Sequence, residues 1–174
     1  MYTLVPMTRR PTFLLSAAVL LSLCSLASAQ QVDAPSGWTF TQQGSNWIYK
    51  PAKPPAGATF LLTVAPPQAL DGKNLEAWLK SHVESDAANR GTLEDEKVQN
   101  AMLGLRAIER SYRDSKRHHW LVTYLAFPLS ENRVLYCYFE TNLPESQAGE
   151  YIHAGGKICG ETARNASKNS PLAK

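Results

Sequence analysis

Residues 117–127 read RHHWLVTYLAF and residues 133–142 read RVLYCYFETN. Both stretches are rich in β-branched and aromatic residues, and the spacer Leu129-Ser130-Glu131-Asn132 is short enough for a hairpin. In the first stretch the even positions are His118, Trp120, Val122, Tyr124 and Ala126, and the odd ones include His119, Leu121, Leu125 and Phe127. In the second, Val134, Tyr136 and Tyr138 alternate with Leu135, Cys137 and Phe139. A half-exposed strand alternates apolar with polar residues; these two are apolar on both faces. The centre of the sheet is therefore expected to be covered on both sides.

Two helices are available as covers. Asn74 is a suitable N-cap for a first helix in which Leu75, Trp78, Leu79, His82 and Val83 recur at spacings of three and four. Gly91 is read as its left-handed C-terminal residue. A second helix begins near Pro144 and places Ala148, Tyr151, Ile152, Gly155, Ile158, Cys159 and Thr162 on one face. Gly155-Gly156 weakens it by about 1 kcal/mol per glycine relative to alanine.

The remaining segments read as strands. Trp38-Thr39-Phe40 and Trp47-Ile48-Tyr49 flank a turn at 43–46, and Pro51, Pro54 and Pro55 mark a loop. An apolar strand spans 59–65, and candidate strands at 93–101 and 105–113 complete a meander with the two above. The expectation is an α+β domain, a mostly antiparallel sheet of six to seven strands in a three-layer α/β/α sandwich.

The N-terminus carries Arg9 and Arg10, an apolar run from Phe13 to Leu26, and then Ala27-Ser28-Ala29. This is the pattern of a cleaved export signal over residues 1–29, and the run is too short to span a bilayer. No transmembrane anchor is expected after cleavage. The domain is then expected over 36–165, with a flexible N-terminus at 30–35 and a disordered tail at 166–174. Of 18 Lys+Arg and 15 Asp+Glu, the signal removes only two arginines, leaving a nearly neutral body. That argues against a nucleic-acid binder. A periplasmic location is expected, with full secretion as the alternative. Cys137 and Cys159 remain after cleavage, and an isolated pair in an oxidising compartment is expected to form one disulfide.

The order of elements resembles the Mog1/PsbP-like domains. The residues that carry the likeness are Gly37-Trp38, Trp47-Ile48-Tyr49, Leu75-Glu76-Ala77-Trp78-Leu79 and the Tyr151/Ile152 helix face, across about Ser36 to Thr162. The resemblance implies a binding or assembly accessory, and it transfers no catalytic residue.

Direct signs of chemistry are few. The chain has no Gly-x-Ser-x-Gly elbow, P-loop or Gly-x-Gly-x-x-Gly. Neighbouring His118 and His119 point to opposite sides of a strand, and Glu150-x-x-His153 is a single copy of a motif that needs partners from other helices. No cofactor or metal is expected. Two surfaces remain as candidates. Arg106, Arg110, Arg113, Lys116 and Arg117 form a basic stretch suited to an anionic partner, while 84–96 is acidic, so the domain reads as electrically lopsided. The bland alternative is a solvated, charge-protected hairpin edge. Tyr112, Trp120, Tyr124, Tyr136 and Tyr138 could share one sheet face as a ligand platform, or pack beneath the first helix. The leading expectation is an exported, non-catalytic accessory docking on an envelope or secreted protein. A small-ligand or glycan binder, an immunity-type inhibitor and an enzyme with a fold-assembled site are the alternatives.

Overall fold

The computed structural model describes residues 32–100 and 104–168. The expected signal peptide, most of the turn at 102–104 and the last six residues lie outside the described residues.

Eight strands and two helices follow in the order β1 (Trp38–Gln43), β2 (Asn46–Pro51), β3 (Phe60–Val64), β4 (Gln68–Ala69), α1 (Leu75–Ala87), β5 (Thr92–Asn100), β6 (Arg106–Arg113), β7 (His119–Ser130), β8 (Arg133–Thr141) and α2 (Glu145–Lys168). The sheet runs β1-β2-β3-β8-β7-β6-β5, antiparallel throughout, with the two-residue β4 pairing to the start of β8. This last strand brings the sheet to eight. It is too short to show a period in sequence, and Pro66-Pro67 hides it.

The two faces of β7 and β8 are buried against different helices. Trp78, Leu79 and Val83 of α1 pack with Ile108, Tyr112, Val122, Tyr124, Val134 and Tyr136. Ile158, Cys159, Ala163 and Ala166 of α2 pack with Phe60, Leu62, Leu125, Leu135, Cys137 and Phe139. The expected α/β/α sandwich is therefore present, with the first helix on the even face and the last on the odd face.

Several local expectations differ from the structure. Asn74 caps α1 as read, its Oδ1 accepting from Ala77 N at 2.8 Å. Gly91, however, is not the helix cap, because α1 ends at Ala87 and Ala88 caps it in right-handed geometry. Gly91 opens the approach to β5 at φ +106, where a Cβ would stand 2.4 Å from the Arg113 carbonyl oxygen. Pro51 ends β2 opposite Trp38 rather than in a loop, since a terminal strand residue needs no further ladder N–H. Strand β7 passes Phe127 and runs to Ser130, with Pro128 accommodated by a register shift between Pro128 and Ser130. Helix α2 continues to Lys168 with Ala166 buried, so the domain does not stop at 165. Val32 precedes the expected boundary yet is tied down, its carbonyl accepting from the Tyr49 hydroxyl at 2.7 Å.

Candidate functional site

The aromatic face is closed. Tyr112, Tyr124 and Tyr136 are buried and Trp120 and Tyr138 partly so, all beneath α1. Trp78 meets Tyr136 edge-on, and its Nε1 donates to the Ala69 carbonyl at 3.0 Å. His82 stacks on Trp78, with Nδ1 3.0 Å from the Trp78 carbonyl. At the end of α1 the Tyr124 hydroxyl donates to Asp86, Arg90 pairs with Asp86 and Glu140, and the Arg90 guanidinium lies over the Tyr138 ring. Burial, then the Asp86 hydrogen bond, raises the Tyr124 hydroxyl far above its ordinary range. What stays open on this side is a small cavity of about 190 Å³ beside Asn89, Arg90, Trp120 and Glu140.

The basic stretch is not a patch either. Arg110 is 4% exposed, and it donates to Glu96 and Glu84, each at 2.5 Å. Burial opposes its charge, but the hydrogen bond to Glu84 leads a set of contacts that raises its pKa overall. Arg113 pairs with Glu94 at 2.6 Å. Arg106 is partly buried and donates to the carbonyls of Gly104 and Leu105. Of the five residues of this stretch, Lys116 and Arg117 are the two that are exposed and form no ion pair within the described residues. The antiparallel pairing of β5 with β6 sets Glu96 opposite Arg110, so the two charge blocks neutralise each other across one hairpin. The lopsided charge read from the sequence does not survive folding.

The histidines are dispersed. His118 Nδ1 lies 3.0 Å from Asp114 and His119 Nδ1 3.3 Å from Glu94. Glu150 and His153 are exposed on α2, and among the described residues no three His, Cys, Asp or Glu side chains converge as metal ligands. Cys137 and Cys159 are thiols in this structure, both buried in the core beneath α2. Burial and then the interaction with Cys159 push the Cys137 thiol up, so Cys137 does not suit the role of a thiolate nucleophile.

What remains open is the other face. Helix α2 lies over β3, β8 and β7, and among the described residues no helix covers the β5–β6 side of this face. Between this flank and α2 runs a cavity of about 540 Å³. Its apolar walls are Leu105, Ala107, Leu125, Phe127, Phe139 and Ile152. Gln99, Glu109, Thr123 and Glu145 supply its polar groups. The strand register explains this layout: Lys97, Glu109, Thr123 and Phe139 form one row across four strands on the α2 side. Lys97 bridges Glu109 at 3.3 Å and Glu145 at 3.7 Å, joining the sheet to the start of α2 at one end of the cavity. Thr123 is 8% exposed, and its hydroxyl has no hydrogen-bond partner. A buried hydroxyl left in that state costs about 1–3 kcal/mol.

The helix side is open because two lining positions, Gly149 and Gly156, have no side chain, and a Cβ at either would meet nothing within 4 Å. None of these residues was read from the sequence as part of a site: Leu125, Phe127, Phe139 and Ile152 were read there as apolar packing positions. The available signal was the glycine content of α2, read there only as a weakness of the helix.

An open antiparallel sheet between two unequal helices, with α1 inserted before the meander and α2 closing the chain, defines the Mog1/PsbP-like fold, and this chain has it. The Ran-binding protein Mog1p of Saccharomyces cerevisiae superposes with a TM-score of 0.50 at 10% identity, over 78% of this chain and 86% of that one. LpqN of Mycobacterium tuberculosis, described as involved in cell envelope biogenesis, gives a TM-score of 0.44 at 11% identity, over 75% of this chain and 79% of that one. Neither a protein-family model nor a curated protein matches the sequence. Among the described residues no helix is long and apolar enough to cross a membrane.

Proposed function

We propose that this chain is an exported, non-catalytic binding protein whose ligand site is the groove between α2 and the β5–β7 flank. The observation that carries the reading is the groove itself: ligand-sized, mostly apolar, and lined by a few polar residues, among them Gln99, Glu109 and Glu145. Both surfaces favoured by sequence are occupied by internal contacts, so the small-ligand reading moves to a different face. Mog1p shows that a binding role is compatible with this fold, although fold alone assigns neither ligand nor partner.

Saturable uptake of a neutral solvatochromic dye by the processed protein tests the reading. Gly156→Trp places a large ring where no atom now stands and is expected to weaken uptake at least tenfold. Non-saturable uptake, or uptake indifferent to Gly156→Trp, overturns the assignment.

Export carries a second expectation. In an oxidising compartment Cys137 and Cys159 each lose one hydrogen and join, the electrons passing to the compartment's disulfide oxidant. The support is their shared burial in one core cluster, where Cys159 is among the groups that act on the Cys137 thiol. Intact mass of the protein recovered from the exported fraction reads both events: loss of residues 1–29 and loss of two hydrogens. A full-length, reduced mass contradicts both. Docking on an envelope protein is the second reading, supported by the exposed turn carrying Lys116 and Arg117. Charge reversal at these two residues is expected to abolish crosslinked capture of such a partner, and unchanged capture removes the reading.

A further inference from the structure

We propose that the groove is one chamber of a longer channel for a single linear hydrocarbon chain, whose head is an uncharged or cationic hydrogen-bond donor. This inference rests on the groove being the ligand site.

The first support is continuity. A second cavity of about 270 Å³ shares Leu105 and Phe127 with the groove and continues along α2 past Gly160 and Ala163 to Ser167. The lining positions of α2 in the two cavities are Glu145, Gly149, Ile152 and Gly156, then Gly160, Ala163, Arg164 and Ser167. Their steps of mostly three and four residues trace one stripe along the helix. At a rise of 1.5 Å per residue that stripe is about 33 Å long. Apart from Ile152 its middle consists of glycine and alanine. A path of that length suits an extended chain better than a compact ring.

The second support is the uneven placement of polar groups. Gln99, Glu109, Thr123 and Glu145 all belong to the first chamber, whereas the second has only Arg164 and Ser167 at its far end. Thr123 lines the same chamber with a side chain more than nine-tenths buried, its hydroxyl oxygen sealed from solvent and unpaired.

The third support is charge. Lys97 is one cation between two carboxylates, Glu109 and Glu145, so the mouth carries a negative excess. An anionic head is repelled there. A hydroxyl or ammonium head finds acceptors in the Glu109 and Glu145 carboxylates.

Displacement of the neutral dye from the processed protein tests chain and head separately, using hexan-1-ol, dodecan-1-ol, dodecylamine and dodecanoate below their aggregation concentrations. Dodecan-1-ol is expected to bind roughly a hundredfold tighter than hexan-1-ol, as partial burial of six further methylenes requires. Dodecylamine is expected to match or exceed it, and dodecanoate to bind at least tenfold more weakly. Gly160→Leu fills the second chamber and is expected to erase the advantage of the longer alcohol. Equal affinity for the two alcohols, with dye uptake intact, overturns the channel and leaves the groove standing. Dodecanoate binding tightest overturns the head assignment and points to entry from the Arg164 end. Absence of dye uptake overturns both the channel and the groove.

Discussion

The two faces of the sheet use the same strands and reach opposite outcomes. On the even face the 13-residue α1 closes the layer, because Trp78, Leu79 and Val83 reach down into the tyrosines and Asp86 and Arg90 fasten its end. On the odd face the 24-residue α2 leaves a groove open, although it is nearly twice as long. Length therefore does not decide coverage. The size of the side chains along the helix edge does: bulky residues fill the space above a flat sheet, and glycines leave it empty.

The largest expected contrast comes from truncation on each face. Trp78→Ala should cost about 3–5 kcal/mol in urea unfolding, since it opens a sealed layer and leaves the Ala69 carbonyl unpaired. Ile152→Ala, beside an existing cavity, should cost about 1 kcal/mol. Equal costs would break the comparison.

Arg110→Ala should cost about 2 kcal/mol, because it removes a buried guanidinium that ties α1 and β5 to β6, while its half-exposed carboxylate partners stay solvated. A surface arginine would cost next to nothing, so thermal unfolding of this variant separates a structural hub from a docking residue. Gly156→Ala moves the other way. It should stabilise the protein by about 1 kcal/mol, since the helix gains a better former and the new methyl enters empty space. Destabilisation would mean that the groove is narrower than it stands here.

The smallest effect is a pH slope. Partial burial opposes the Asp114 carboxylate, but hydrogen bonds from His118, Trp120 and the Lys116 backbone N–H bring its pKa down to about 2. The depressed value means that Asp114 stabilises the fold above its ordinary pKa of 3.8, and that this contribution fades as pH falls from there through about 2. Asp114→Asn should flatten the stability profile in that window, and an unchanged profile would remove Asp114 as its cause.

Much of the architecture was legible in the chain. The double-sided apolar pattern of 117–127 and 133–142 demanded two covers, and the periodicity around Trp78 and Ile158 supplied them. Turn chemistry placed the Gly44-Ser45 hairpin and the Asn74 cap, because these depend on neighbours in sequence. The site was not legible in the same way. Sequence blocks of charge suggested a patch, yet Glu94 and Glu96 meet Arg113 and Arg110 only once β5 folds back on β6, and Glu84 meets Arg110 only once α1 packs on the sheet. The tyrosine stripe was visible, but its burial depended on where α1 came to rest. The groove is a space between elements distant in the chain, bounded by Gln99 from β5, Thr123 from β7 and Gly156 from α2, and no linear pattern marks it. Local propensity and hydrophobic period fixed the elements and their inward faces. Strand register and helix placement decided which charges cancel, which aromatics are sealed, and where the sheet stays open, because those outcomes depend on contacts between residues far apart in the chain.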